Sequence, residues 1–324
     1  MKAVVVENYD SIDGISIKEM PLPGLAAGQV RVKIGAAAVG FVDGLKVQGR
    51  YQTKDPLPFV PGTEFAGTVD ATADGVTAFK PGASVIGMTR SGALAEYIAV
   101  PAAALKPLPP DVALEAGASF QANYLTGLYA LSARAELREG EILLVLGAAG
   151  GVGIAAVQLG KLLGARVIAA ASTAEKRDFA VRYGADETID YTKADWRDTL
   201  KALTGGNGPD VIFDPVGGDM FDESTRCIAF GGRLLVIGFT SGRIASVATN
   251  IPLIKGFSVI GVRAGEYGRR FPDKGRENQD AVWALAAEGR IRPRVDSRYK
   301  LADWRRAFEA MRDSRMIGKI VIEP

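Results

Sequence analysis

The most constraining stretch lies near the middle of the chain. Leu143-Leu144-Val145-Leu146 runs straight into Gly147-Ala148-Ala149-Gly150-Gly151-Val152-Gly153, and Ile154–Leu163 follows as an apolar helical run. A short apolar strand that turns through glycines into a helix is half of a βαβ unit. Such units build parallel sheets covered by helices. The alternation continues downstream. Strands are predicted over Arg166–Ala171, Glu187–Asp190, Asp210–Asp214 and Arg233–Ile237, with helices over Ala174–Tyr183, Trp196–Leu203 and Met220–Ile228. Ser258–Val262 fits one more strand.

The flanks read differently. Ala3–Val6, Val30–Ile34, Glu64–Val69, Ser84–Met88 and Ala95–Val100 are short β-like runs, separated by Pro/Gly clusters such as Pro21–Gly24, Lys80–Gly82 and Pro107–Pro110. Many short strands with such turns predict a barrel-like or sandwich unit. Leu114–Leu131 reads as a helix and Glu141–Leu146 as the first strand of the α/β part. Beyond Arg263 come helices at Asn278–Glu288 and Ala302–Arg312 and a strand at Lys319–Ile322, which is expected to return to the first domain. The expected division is residues 1–115, completed by 264–324, around an α/β domain of residues 116–263. A chain of 324 residues suits two domains.

The missing residues narrow the chemistry. There is no histidine, and Cys227 is the single cysteine. A Ser-His-Asp or Cys-His triad cannot be built, nor a zinc site of Cys and His ligands. An intrachain disulfide is excluded, which fits a reducing compartment. A net charge of +2 gives no footprint for nucleic acid or anionic membrane. The N-terminus does not read as a signal peptide, and no uninterrupted apolar run is long enough for a spanning helix. The cytoplasm is the expected location.

The glycine turn carries most of the functional signal. The strict G-x-G-x-x-G pattern would begin at position 148, where alanine stands, leaving Ala148-x-Gly150-x-x-Gly153. In a strand–turn–helix context this is a dinucleotide cradle: Ala149, Gly150, Gly151 and Val152 approach the pyrophosphate, and the helix N-terminus receives its charge. An NAD site carries an acid about 20 residues on, for the ribose 2′-hydroxyl. Here the second strand ends Ala171-Ser172-Thr173, and Lys176 and Arg177 follow within one turn. Hydroxyls and a cation in place of a carboxylate predict NADPH.

With these residues in place, the chain resembles the zinc-independent quinone oxidoreductases of the medium-chain dehydrogenase/reductase superfamily. Supporting stretches are Val42-Asp43, Pro58–Val69, Phe79–Gly82, Ala93–Val100, Tyr124-x-Thr126-Gly127, Asp214–Gly218 and Gly318-Lys319. The resemblance implies an α/β fold: a GroES-like β-rich catalytic domain plus a doubly wound Rossmann domain that binds NADPH. It places Thr126 near the nicotinamide ribose, Lys176 and Tyr191 near the 2′-phosphate, and Val216 and Gly217 near the adenosine ribose. Gly238, Phe239, Val262 and Arg263 border the nicotinamide, Phe41 joins the cofactor contacts, and Lys319 closes over the cofactor. Zinc-dependent relatives carry cysteine where Gly40 stands, and many zinc-free members carry asparagine there. A homodimer through the Rossmann sheet edge, around Ser246–Val262, is implied by analogy.

Without a metal or an imidazole, alcohol dehydrogenation is disfavoured. Hydride delivery to a conjugated acceptor needs less help, because the charge spreads over a quinone ring or an enolate. Tyr51, in Gln48-Gly49-Arg50-Tyr51, looks like the active-site tyrosine of related enoyl reductases and is the candidate proton donor; Tyr124 is a weaker one. Asp43 reads as a cap or hydrogen-bonding hub. Cys227 and the tryptophans read as core. Phe41, Phe59 and Tyr267 are candidates for an apolar substrate pocket, and Arg263, Arg269 and Arg270 for an acyl-CoA phosphate. The leading reading is an NADPH:quinone oxidoreductase with a small-molecule quinone or enone substrate. The alternatives are an NADPH-dependent enoyl-CoA or enone reductase and a non-catalytic, crystallin-like NADPH-binding protein.

Overall fold

The computed structural model describes residues 1–9, 12–313 and 316–324. The chain forms two compact units, one of Met1–Ala122 with Pro293–Pro324 and one of Asn123–Arg292. The first begins with β1 (Lys2–Val6), β2 (Ile15–Glu19), β3 (Gln29–Val39), α1 (Phe41–Val47), β4 (Glu64–Thr72), β5 (Ser84–Met88), β6 (Tyr97–Pro101), β7 (Leu105–Pro107) and α2 (Leu114–Ala118). Then come α3 (Gln121–Leu128), β8 (Ile142–Leu146), α4 (Gly151–Leu162), β9 (Arg166–Ala170), α5 (Ala174–Arg182), β10 (Glu187–Ile189) and α6 (Trp196–Leu203). They are followed by β11 (Val211–Asp214), α7 (Asp219–Cys227), β12 (Arg233–Val236), α8 (Asn250–Lys255), β13 (Ser258–Gly261), α9 (Ala264–Arg270) and α10 (Pro272–Ala287). The chain ends with β14 (Val295–Lys300), α11 (Trp304–Arg312) and β15 (Lys319–Glu323).

In the first unit β3 is the organising strand. It pairs with β4 along one edge, while β6 covers residues 29–33 of its other edge and β15 covers residues 37–39. The sheet runs β14-β15-β3-β4-β5-β7, with β6 attached to β3. The alternating Val30–Ile34 half of β3 buries every second residue; Ala36–Val39 is buried throughout. Those alanines have weak strand preference, and packing on both sides extends the strand past the Ile34 end that the sequence suggests. Helix α11 closes this core with Trp304, Ala307, Phe308 and Met311, an i, i+3, i+4, i+7 stripe.

In the second unit six parallel strands lie in the order β10-β9-β8-β11-β12-β13. β8, β9 and β11 are almost entirely buried, as strands covered by helices on both faces must be. The order reverses between β8 and β11, so the crevice at their carboxyl ends is the place where such sheets bind ligands.

Several elements depart from expectation. The predicted helix Leu114–Leu131 is broken into α2, α3 and a π-type turn over Tyr129–Arg134. Buried Ser119 turns its hydroxyl back to the Glu115 carbonyl at 2.7 Å, an alternative to continued helix. Helix α4 begins at Gly151 rather than Ile154, because the glycines themselves form its first turn. Helix α10 begins six residues early, at Pro272, where a proline loses no helical hydrogen bond. The units divide at 122/123 and 292/293 rather than at 115/116 and 263/264. Residues 264–292 stay with the parallel sheet through several contacts: Asn278 donates to the Leu125 carbonyl, Tyr267 stacks on Tyr129, and Gln158 exchanges two bonds with the Arg292 backbone. Among the described residues no helix is long and apolar enough to cross a membrane.

Phe65 is fully buried in β4, with its ring against Gly87 of β5. Phe65→Ala is expected to lower the stability of the first unit by about 3–5 kcal/mol, read as a lower urea midpoint of its unfolding transition.

Candidate active site

The second unit gathers most of the sequence-assigned residues along one edge of its sheet. Each group follows directly on the carboxyl end of a strand: the glycine turn after β8, Ser172 after β9, Tyr191 after β10, Val216 and Gly217 after β11, Gly238 and Phe239 after β12, and Val262 and Arg263 after β13. Thr126 is the exception, half-buried on α3. The glycine turn leaves the sheet through a Gly150 N–H bond to the Gly147 carbonyl at 3.0 Å, and Gly150 then caps α4 in an extended conformation. Gly153 must be glycine: a Cβ there would sit 2.3 Å from the Gly147 carbonyl oxygen. That contact lays the first turn of α4 directly on the end of β8. The N–H groups of the first turn have no partner within the helix and suit a phosphate.

The end of β9 carries no acid. The Ser172 and Tyr191 hydroxyls are hydrogen-bonded to each other, and burial holds the Tyr191 phenol above its ordinary range. Thr173 caps α5, accepting the Lys176 backbone N–H at 3.2 Å. Arg177 donates to the Ala171 carbonyl at 3.2 Å and pairs with Asp190 at 3.0 Å. Ser172, Lys176 and Tyr191 therefore share one corner, backed by a fixed guanidinium. This corner offers donors and positive charge.

In the first unit the notable feature is a buried charge cluster. Asp43, on α1, caps its own helix by accepting the Gly40 N–H at 2.8 Å. Lys319 pairs with Glu64 at 3.0 Å, both nearly inaccessible, and the second Glu64 oxygen accepts the Ala122 N–H at 2.7 Å. A Cβ on Gly40 would lie only 3.0 Å from the Lys319 ammonium, so the lysine fills the space that a residue-40 side chain would take. The resemblance assigns Lys319 to the cofactor; its ammonium also supplies the counter-charge that the buried Glu64 carboxylate requires. Burial pushes the Asp43 carboxyl up to about 6, against the opposing pull of the Gly40 N–H bond and Lys319.

Tyr51 is half-buried in the loop after α1. That loop is pinned from three sides. The buried Asp55 carboxylate pairs with Lys46 at 2.8 Å and with Arg90 at 2.7 Å, Arg90 also donates to the Lys54 carbonyl at 2.8 Å, and the Tyr9 hydroxyl donates to the Asp55 carbonyl. Sequence reasoning passed over Lys46, Asp55 and Arg90, whose spacing carries no motif. Phe41 opens α1 and is exposed.

The remaining candidates fall into ordinary roles. Tyr124 is buried and accepts a bond from Gln158 at 2.7 Å, which places it in the core. Cys227 is buried in α7, and burial raises its thiol to about 11. Arg269 and Arg270 are bound to Glu266, each at 2.8 Å, and hold its carboxyl down at about 2. A cavity of about 350 Å³ between β14 and α11, lined by Asp296, Tyr299 and Arg306 among others, contains none of the assigned residues.

A seven-stranded sheet organised around β3 and a glycine-turned parallel sheet are the architecture of the medium-chain dehydrogenases and reductases. Residues 26–110 match the family model described as alcohol dehydrogenase GroES-like domain, and residues 151–278 match the one described as zinc-binding dehydrogenase. Quinone oxidoreductase-like protein 2 of Mus musculus is 35% identical, over 95% of this chain and 88% of its own length. Rattus norvegicus quinone oxidoreductase is 30% identical, over 99% and 97%. The crystal structure of Escherichia coli quinone oxidoreductase complexed with NADPH superposes with a TM-score of 0.90 at 28% identity, covering all of both chains. The chain belongs to the quinone oxidoreductase-like family of the medium-chain dehydrogenase/reductase superfamily.

The zinc named in one of those descriptions would find no set of histidine and cysteine ligands in this chain. The sequence offers no histidine, its one cysteine lies in the core of α7, and among the described residues no group of three His, Cys, Asp or Glu side chains could hold a metal.

Asp43 provides a test of the charge cluster. Its carboxyl protonates more readily in the folded chain than in the unfolded one, so its own contribution to stability falls as pH rises from about 4 to about 6 and stays lower above that. Asparagine can still accept the Gly40 N–H but cannot ionise. Urea unfolding between pH 4 and pH 8 is expected to show Asp43→Asn gaining on the wild type with rising pH, by up to about 3 kcal/mol, and the gain levelling off above about pH 6.

Proposed function

We propose that this protein is an NADPH-dependent reductase of quinones and similarly conjugated acceptors, working without a metal. One observation carries the reading: a glycine-turned helix N-terminus stands at the carboxyl edge of the parallel sheet, and the neighbouring strand β9 ends without an acid, in hydroxyls followed by Lys176 and Arg177. The family membership and the NADPH held by the Escherichia coli relative support it. When bound, NADPH supplies a hydride from its nicotinamide ring.

The chain's own residues have definite tasks in this reading. Ala149, Gly150, Gly151 and Val152 present backbone N–H groups to the pyrophosphate. Ser172, Lys176 and Tyr191 receive the 2′-phosphate, with Arg177 held behind them by Asp190. Val216 and Gly217 flank the adenosine ribose and Thr126 the nicotinamide ribose; Gly238, Phe239, Val262 and Arg263 border the ring. Tyr51 donates a proton to the oxygen that gains charge, and the pinned loop around Asp55 keeps its position fixed. A quinone suits these few donors because its developing charge is delocalised. An alcohol substrate would develop a localised alkoxide, for which this chain has neither a metal site nor an imidazole.

The test is NADPH oxidation with 1,4-benzoquinone and 9,10-phenanthrenequinone against crotonyl-CoA and a simple enone. Quinone turnover is expected, unaffected by chelator, with NADH at least about tenfold poorer. Tyr51→Phe is expected to lower kcat about a hundredfold with the KM for NADPH unchanged. Reduction of the thioester alone would move the protein to the enoyl reductase reading, and nucleotide binding without any turnover to the non-catalytic one.

We further propose that the working form is a homodimer. β13 has a sheet neighbour on one side only, and Leu253 and Ile254 on α8 just before it, with Phe230 against Gly256, are 72–86% exposed. An open strand edge beside an apolar patch suits a second copy across a two-fold axis. Light scattering is expected to give twice the 34.2 kDa chain mass, and Leu253→Lys with Ile254→Lys to give a monomer.

A further inference from the structure

We propose that Asp214 is a positioning residue for the nucleotide: it shapes the binding edge by gripping its own loop and does not itself touch the cofactor. The inference rests on the NADPH reading above. Asp214 is the last residue of β11, at the point where the strand order reverses, and its side chain is buried. One carboxylate oxygen accepts two successive backbone donors, the N–H groups of Val216 and Gly217, each at 2.8 Å. Burial raises its carboxyl above the ordinary range, while those two bonds oppose the shift.

Successive N–H groups that converge on one point form an anion-binding nest. In this chain the nest is filled from within by the preceding aspartate, so Val216 and Gly217 meet the nucleotide through shape and not through their N–H groups. The turn so closed is the contact point for two neighbouring loops. Toward β12, the Ile237 N–H donates to the Asp214 carbonyl at 3.0 Å, Thr240 to Pro215 at 3.1 Å and Ser241 to Val216 at 3.0 Å. Gly217 has φ +68°, and a Cβ there would sit 3.0 Å from the Phe239 ring. Toward β8, a Cβ on Gly147 would lie tightly against Val216 at 3.3 Å and in ordinary contact with Pro215 at 3.6 Å, so the glycine turn packs on this one. One carboxylate thus sets the spacing between the glycine turn and the Gly238–Phe239 segment.

The experiment compares Asp214→Ala and Asp214→Asn. Asparagine keeps the accepting oxygen and loses the charge; alanine loses both. NADPH titration followed by nucleotide fluorescence is expected to show Asp214→Ala weakened about tenfold or more, and Asp214→Asn within about threefold of wild type. The KM for the acceptor is expected to stay within about threefold in both, which general loosening of the fold would not produce. A second measurement needs no variant: in nucleotide-free wild-type protein, the Val216 and Gly217 amides are expected to be protected from hydrogen exchange as strongly as with NADPH bound. Wild-type affinity in Asp214→Ala, equal weakness in the two variants, or free exchange of those amides before NADPH is added overturns the proposal. If the wild type binds no NADPH while the amides remain protected, the cofactor reading falls and the grip of Asp214 on its turn stands.

Discussion

The close approach of α4 to the end of β8 is the contact on which the nucleotide-binding edge depends. A helix lies flat on a parallel sheet only if the residues between them are small. Here Gly153 stands over the Gly147 carbonyl, and further along α4 Gly160 faces Leu143 with no room for a Cβ. With α4 seated there, its N-terminus lies at the carboxyl edge of the sheet, the edge from which the loops after β9, β11 and β12 also leave. The hydroxyl pair Ser172–Tyr191 and the Asp214 turn are positioned relative to that axis.

The first unit solves a different problem. Its core is almost wholly apolar, yet it admits two groups of charges. The Lys46–Asp55–Arg90 group ties a surface loop to α1, with Arg90 largely in solvent. The Asp43–Glu64–Lys319 group is sealed off, with two carboxyl groups for one ammonium. Low local dielectric makes such a set expensive unless a proton or extra N–H bonds relieve it. Both remedies are present: Gly40 and Ala122 each donate a backbone N–H, and Asp43 binds a proton more readily than a free aspartate does.

Much of the α/β unit was legible in the sequence because its signals are local. Apolar runs such as Leu143–Leu146 and Val211–Phe213 announce buried strands, and the glycine turn announces the strand-to-helix junction. Trp196–Leu203 and Ser84–Met88 have the bounds that their patterns suggest. The misses are positions where tertiary packing decides. Ala36–Val39 joins β3 through neighbours distant in sequence, and Gly151–Gly153 is helical although glycine disfavours helix. The Lys319 ammonium pairs with Glu64, 255 residues away. Asp43 was recognisable as a cap because its partner is three residues off. Asp214 shows in the sequence only as the first residue of the Asp214–Gly218 stretch, since nothing in the letters reveals that its oxygen gathers two amides.

The ammonium lodged against Gly40 has an evolutionary corollary. Positions 40 and 319 are coupled: a Cβ at 40 comes within 3.0 Å of the lysine head group, which must then give by a few tenths of an ångström, and shortening the lysine strands the Glu64 carboxylate. A lineage that converts this glycine into the asparagine or cysteine of its cousins therefore asks the ammonium to shift against its carboxylate partner.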